Sequence, residues 1–367
     1  MDFKNLSKKI TASLAAGAVG CSIIFSAPTT AEALGVGEII GIGGAVLQGT
    51  VQMKQAQAEI DKLNNTEGGR QELYQSYRKK YGVNEDPTLN SRLKTIMTNL
   101  SNAVAVTDSS IKEKPYLYFI AADKTLNAAC SLGHVMMVNT GAFTYLATDD
   151  EIAAIVGHEM GHGQKDHVAK GTKKRINKTT LAQIGVSAAG GSTIAGVVGA
   201  IALTNSVAHG DRKFETEADN LAWNYMLNTN YNIGACAAVM QRLAELYGEK
   251  SNSSFLNPSD HPETGKRRDN YANKLYEYSG KHASARDGVV TVNGKTFMTV
   301  AKTSTMSSAE RSFFVLGNLA KAFHVGKNKS EATVRNGTVY LGDQAIVTPT
   351  SNDESAATLA ARLNEIK

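Results

Sequence analysis

One pentapeptide limits what this chain can fold into more than any other feature: His158-Glu159-Met160-Gly161-His162. It lies in a stretch that reads as helix, Asp149 to His162, and Thr148 followed three residues on by Glu151 gives a capping-box start. Ile152, Ile155, Val156 and Glu159 recur at helical spacing and bury one side. Residues four apart stand one turn above each other, so His158 and His162 can present two imidazoles to one metal ion, each at about 2 Å. Glu159 is then placed to take a proton from water at that ion. Taken alone, the pentapeptide fits equally well a helix with two half-exposed histidines and a solvated glutamate. A third ligand downstream is what separates the two readings.

The candidates for that ligand are His167, Glu215, Glu217, Asp219 and His261. If the helix continued, His167 would lie about 140° further round than His162, so it reads as structural or surface. The acidic segment sorts by faces. Phe214, Ala218, Leu221 and Tyr225 form an apolar stripe, and Glu217, Asn220, Asn224 and Asn228 a polar one. Glu215, Asp219, Ala222 and Met226 lie between them, which makes Glu215 the better ligand and Glu217 the solvated residue. Asp219, one turn on, is placed to accept a hydrogen bond from the outer nitrogen of a metal-bound histidine. His261-Pro262 sits where a loop meets a helix and could place an imidazole near an oxyanion or over the metal.

The 367 residues, 42% hydrophobic, suffice for a sizeable core and one or two domains. A net charge of +5 is modest, and the densest basic cluster (Lys173, Lys174, Arg175, Lys178) has no interleaved aromatics, so it reads as a solvated loop and not as a nucleic-acid site. Lys4, Lys8 and Lys9, the uncharged run Ile10 to Ala27 and Ala31-Glu32-Ala33 read as an export signal over 1–33, cleaved before Leu34. Cys21 offers a lipoprotein anchor as the alternative. In an oxidising compartment Cys130 and Cys236 could pair.

The segment 34–70 is Gly-rich and apolar, then polar and helical. Helical patterns run from Arg70 to Val106, broken at Asn84 to Pro87, and strands are expected at Tyr116 to Ala121 and Val135 to Asn139. Asn127-Ala128 lies between them, and a sheet edge there would bind an extended peptide through its main chain. Leu181 to Leu203 is uncharged but rich in Gly, Ala, Ser and Thr, and reads as two short helices packed in the protein or on a membrane surface more than as a span. From about Asp287 the chain turns to strands with Asn293-Gly294 and Asn336-Gly337 turns, a helix from Ala309 to Phe323 and a closing helix from Glu354 to Ile366. Val290 to Thr299 resembles Val339 to Thr348, which suggests an internal duplication within an accessory unit at 285–367.

Together these residues resemble the HtpX and CAAX-prenyl-protease type of gluzincin, peptidase family M forty-eight, in its exported branch. The resemblance runs from about Gln71 to Tyr278. It rests on Asp86-Pro87, Asn127-Ala128, Val138 to Gly141, His158 to His162 with His167, Glu215 to Asp219, and His261-Pro262 with Arg267. It implies an α+β, mainly helical zincin-like domain over 71–280, with a small sheet beside the HExxH helix. It further implies one zinc held by His158, His162 and Glu215, with Glu159 as general base and Asp219 behind a ligand. His261 and Arg267 match a pair near the transition state or a regulatory latch. Partners would be polypeptides, notably unfolded or misassembled envelope proteins, and the activity an exported zinc endopeptidase in envelope quality control. A latched, weakly active assembly factor or chaperone is the alternative. One departure concerns the cleft: the family often has Pro-Gly-Gly after Asn-Ala, where this chain has Leu132-Gly133-His134.

Overall fold

A computed structural model describes residues 53–178, 212–249 and 264–367. The expected export signal, Cys21, Leu181 to Leu203 and His261 lie outside the described residues. The described residues are mainly helical with three small sheets, an α+β architecture. Among the described residues no helix is long and apolar enough to cross a membrane.

Two helices, α1 (53–65) and α2 (Glu67–Tyr81), form a hairpin in which Thr66 caps the second by accepting from the Gly69 N–H. The break foreseen before Pro87 is real. Asp86 accepts from the N–H groups of Thr88 and Leu89, and Pro87 occupies the first turn of α3 (Pro87–Thr107), where a missing N–H costs nothing. Strands β1 (Leu117–Ala121), β2 (Ala128–Cys130) and β3 (Val135–Asn139) make one sheet in the order β1-β3-β2. β1 runs parallel to β3 and β2 antiparallel to it, so β2 is an edge. Side chains alternate across this sheet. Phe119, Ala129, Val135 and Met137 pack under the α1–α2 hairpin, while Ile120, Ala128, Cys130, Met136 and Val138 face the main core.

That core surrounds α5 (Asp149–Gln164), which follows a short helix α4 (Thr140–Tyr145). The capping box at Thr148 and Glu151 is present in full. The helix is buried on every side from Glu151 to Gly163, not on one face as the apolar periodicity suggests, because α3, β2 and two later helices enclose it. The basic cluster expected in a loop is instead on helix α6 (His167–Lys178), whose Val168 and Ala169 join the core under the hairpin while Lys173 pairs with Asp61 at 2.6 Å. Next come α7 (Arg212–Leu227), α8 (Ala235–Tyr247) and α9 (Thr264–Tyr278). Cys130 and Cys236 are both buried free thiols, so the permitted disulfide is not formed.

The C-terminal residues are a duplication. β4 (Ala283–Arg286), β5 (Val289–Val292), β6 (Lys295–Thr299) and helix α10 (Ser308–His324) are followed by β7 (Ala332–Arg335), β8 (Thr338–Leu341), β9 (Gln344–Val347) and α11 (Ala356–Ile366). The two meanders share their register down to the bulge, at Val290/Thr291 in one and Val339/Tyr340 in the other. Asp287-Gly288 and Asn336-Gly337 both have two positive φ angles, +49° and +85° in the first and +49° and +76° in the second, as a two-residue hairpin requires. Each helix covers strands of its own repeat and one of the other: α10 reaches β9 and α11 reaches β6. This unit packs on α8 and α9, and its apolar residues belong to the same cluster as those around α5.

Candidate active site

Three helices bring the candidate residues together. α5 supplies His158, Glu159 and His162, α7 supplies Glu215 and Asp219, and α9 supplies Arg267 and Tyr271. α5 and α7 approach closely because Gly161 faces Ala218; a Cβ on Gly161 would lie 3.0 Å from the Ala218 Cα. With that spacing, His158 Nε2 and His162 Nε2 stand 3.2 Å apart. Glu215 faces both, with Oε1 at 3.1 Å from His162 Nε2 and Oε2 at 3.5 Å from His158 Nε2. All three side chains are buried, and one ligand atom from each lies within 4.8 Å of the others.

The outer nitrogens fix the tautomers. His158 Nδ1 is 3.0 Å from Asp219 Oδ1, so it donates there, and the neutral ring keeps its lone pair on Nε2. His162 Nδ1 is 3.0 Å from His167 Nδ1, and His167 Nε2 is 3.1 Å from Glu217 Oε2. A carboxylate only accepts, so His167 donates through Nε2 and accepts at Nδ1. His162 must then donate through Nδ1, which turns its Nε2 lone pair inward as well. Burial keeps His167 below the ordinary histidine pKa against the pull of Glu217, consistent with this neutral relay.

Two imidazole lone pairs and a carboxylate thus converge on one point, and this is the donor set that suits zinc. Burial and Arg267 push His158 down, but Asp219 and Glu215 outweigh them and leave it raised to about 9. The carboxylates call for positive charge here, which a proton or a metal ion satisfies. Asp219 is itself held in place. Arg267 grips it with two bonds of 2.6 and 2.9 Å, and Tyr271 donates at 2.9 Å. Burial alone would raise Asp219, but Arg267 and His158 hold it below the usual carboxylate range.

Residues 87–273 match the model of peptidase family M48. The chain belongs to peptidase family M48. Metalloprotease LoiP of Escherichia coli is 25% identical over 194 residues, covering 51% of this chain and 72% of LoiP. The mitochondrial metalloendopeptidase OMA1 of Arabidopsis thaliana is 28% identical over 149 residues, 41% of this chain and 29% of OMA1. The beta-barrel assembly-enhancing protease of Yersinia pestis is 21% identical over 168 residues, 44% of this chain and 34% of that protein. The chain therefore spans most of LoiP but only about a third of the length of the other two. The M48 match takes in the sheet and helices α3 to α8 and ends inside α9. It leaves out the α1–α2 hairpin and the C-terminal repeats.

Within the M48 match, the structure places the sequence-derived residues as follows. His158, His162 and Glu215 converge, and Asp219 backs His158. Glu159 is buried on the same helix, and its Oε2 accepts the Cys130 N–H of the edge strand at 2.9 Å. Asn127 and Ala128 lie at the start of that strand, both buried. Arg267 engages Asp219, with Nη1 at 3.7 Å from Glu215. His261 lies outside the described residues. Of the two readings that spacing left for His167, structural or surface, the first holds: it is buried, outside the three-residue cluster, and backs His162. The helix does not continue to it. Lys165 caps α5, Asp166 turns left-handed at φ +49°, and α6 starts at His167 in a new direction. Stacking on Phe214 at 4.1 Å then holds its ring. The signal was available in the acidic helix, where Phe214 and Glu217 flank the position that a buried histidine needs.

Proposed function

We infer that this M48 member is an exported zinc endopeptidase that cleaves unfolded or misassembled polypeptides of the cell envelope. The observation that carries this reading is the convergence of two imidazole lone pairs and the Glu215 carboxylate beside Glu159. His158, His162 and Glu215 would hold one zinc, and the neutral tautomers derived above leave the right atoms bare for it. Bound zinc supplies Lewis acidity, polarising the scissile carbonyl and acidifying water. The protein's own residues do the rest. Glu159 accepts the water's proton and passes it to the leaving amine. The Cys130 N–H orients that carboxylate. Asp219 and His167 keep the two histidines in their productive tautomers, and Arg267 locks Asp219. The strand β2 offers a main-chain edge to an extended substrate, starting at Asn127 and Ala128. By the family resemblance, His261 would act as an oxyanion donor or as a latch.

Export and the envelope setting rest on the sequence signal at 1–33 and on the printed description of the Yersinia relative as a beta-barrel assembly-enhancing protease. The reading of 71–280 as the peptidase unit and 285–367 as an accessory unit rests on the family match and on the duplicated meanders. The test is casein hydrolysis by wild type, Glu159→Gln and His261→Ala, with zinc measured on each sample. Wild type and Glu159→Gln should each carry one zinc per chain, and Glu159→Gln should lose hydrolysis by at least about 10³-fold. Full activity in Glu159→Gln sinks the mechanism. Hydrolysis that rises on His261→Ala favours the latched assembly factor.

A further inference from the structure

The turn between β2 and β3, where this chain has Leu132-Gly133-His134, is held from outside the family match. Gly133 adopts φ +68°. Its N–H donates to Asn64 Oδ1 at 2.8 Å, and its carbonyl accepts from Arg70 Nε at 2.7 Å. Both polar groups of one backbone residue are therefore engaged by the α1–α2 hairpin. A Cβ on Gly133 would meet Arg70 Cγ and the Leu63 carbonyl oxygen, each at 2.7 Å, so the closeness of this grip itself requires glycine. Asn64 and Arg70 are buried, at 5% and 4% exposure, and burial makes such bonds costly to lose.

The grip extends in both directions. Arg70 also donates to the Pro115 carbonyl just ahead of β1. The Asn64 amide donates to Asp166 Oδ1 at 2.9 Å, at the left-handed corner that swings His167 behind His162. Lys114 reaches the same carboxylate at 3.2 Å. The His134 ring lies between the Lys114 carbonyl, 2.8 Å from Nδ1, and the Gly163 carbonyl of α5, 3.1 Å from Nε2. Asn64 thus links the end of the edge strand to the end of the metal helix.

The edge strand needs such a link. Among the described residues β2 has one ladder partner, β3, and it is three residues long. Asn127 O and Ser131 N bond towards β3, so by alternation the main-chain groups of Ala128 and Cys130 point away from it, and the Cys130 N–H meets Glu159. A strand this short with one neighbour is set in height and tilt by its ends.

We propose that Asn64 and Arg70 are positioning residues for substrate binding, holding Gly133 so that the outward main chain of β2 lies in register with Glu159. The proposal rests on the peptidase reading above. It gives the α1–α2 hairpin a task in the cleft, and it explains how a Leu-Gly-His turn keeps its shape without the proline of Pro-Gly-Gly.

The test uses Asn64→Ala and Arg70→Met in the full chain, with an extended fluorogenic peptide, zinc analysis and hydrogen exchange. Losing one of these buried bonds should raise KM about tenfold while kcat changes by less than about threefold. Zinc should stay at the wild-type level, and exchange should speed up in 127–134 but not in 264–278. Unchanged KM in variants of a zinc-loaded, active wild type overturns the proposal alone. So does a fall in kcat that merely tracks lost thermal stability, or faster exchange across the whole chain. A wild type with neither zinc nor hydrolysis removes the peptidase reading and this proposal with it.

Discussion

His162 shows how much of a candidate metal site lies behind the residues that would ligate the ion. Its inner nitrogen faces Glu215, but what keeps that nitrogen bare is a relay from Glu217 through His167 to the outer one. His158 gets the same service from Asp219, directly and more strongly, because Arg267 and Tyr271 hold the carboxylate. The two supports differ in kind: one is a charged, buried acid, the other a neutral imidazole held by a half-exposed acid. Replacing His167 by Phe keeps the stack on Phe214 and removes the bond to His162. Metal affinity should fall about 10- to 100-fold, measured by competition with a chromogenic chelator. The melting point of the metal-loaded protein should barely move. Unchanged affinity would mean that His162 orients itself. These supports were unequally legible in the sequence. Asp219 follows from helical spacing on one element, whereas His167 depends on a left-handed corner at Asp166 that no periodicity reports.

Among the elements, α5 is held at its start by buried charge. There Glu151 closes the capping box through Oε2, while Oε1 points inward towards Arg242 at 3.5 Å. Arg242 of α8 also grips Glu310 of α10 at 2.5 Å. Two buried carboxylates face one guanidinium, which can neutralise only one of them. Burial and then Glu151 push Glu310 up to about 9, so it is protonated at neutral pH. The sign follows from linkage. A carboxyl raised in the folded state stays protonated while the unfolded one ionises, so its contribution is full below the unfolded value of 4.5 and is lost as pH climbs towards 9. Wild-type stability should therefore fall between pH 5 and 9 relative to Glu310→Gln, with a slope of at most about 1.4 kcal/mol per pH unit. Urea unfolding of both proteins across that range checks it, and parallel profiles would refute the protonated Glu310. Element types were mostly readable: the capped α3, α5 and α10 and the Asn-Gly hairpins stand where their signals lie. Helix α8 was not foreseen, because its first six residues, Ala235 to Met240, are all apolar or small and show no contrast between faces. α6 was misread as a loop because its charges hide the two residues, Val168 and Ala169, that bury it.

Across the whole molecule, one core joins parts inside and outside the family match. The M48 match supplies the helices that cross at the candidate metal site, the hairpin before it reaches in to hold the edge strand, and a repeated strand-helix unit packs on α8. Asn232 fastens that last contact, its amide donating to the Phe314 carbonyl and to Asn318 at 3.0 Å each. The sequence could suggest the duplication but not its cross-packing, since each repeat's helix covers a strand of the other and such pairings leave no local trace. The central claim is that three residues from two helices hold one zinc. Its most direct test is diffraction from crystals of Glu159→Gln protein at energies on either side of the zinc absorption edge. The account predicts one anomalous peak per chain, about 2.0–2.2 Å from His158 Nε2, His162 Nε2 and a Glu215 oxygen, with His167 still bonded to His162 Nδ1. A peak ligated by His167 or Asp219, or no peak in protein supplied with zinc, would contradict it.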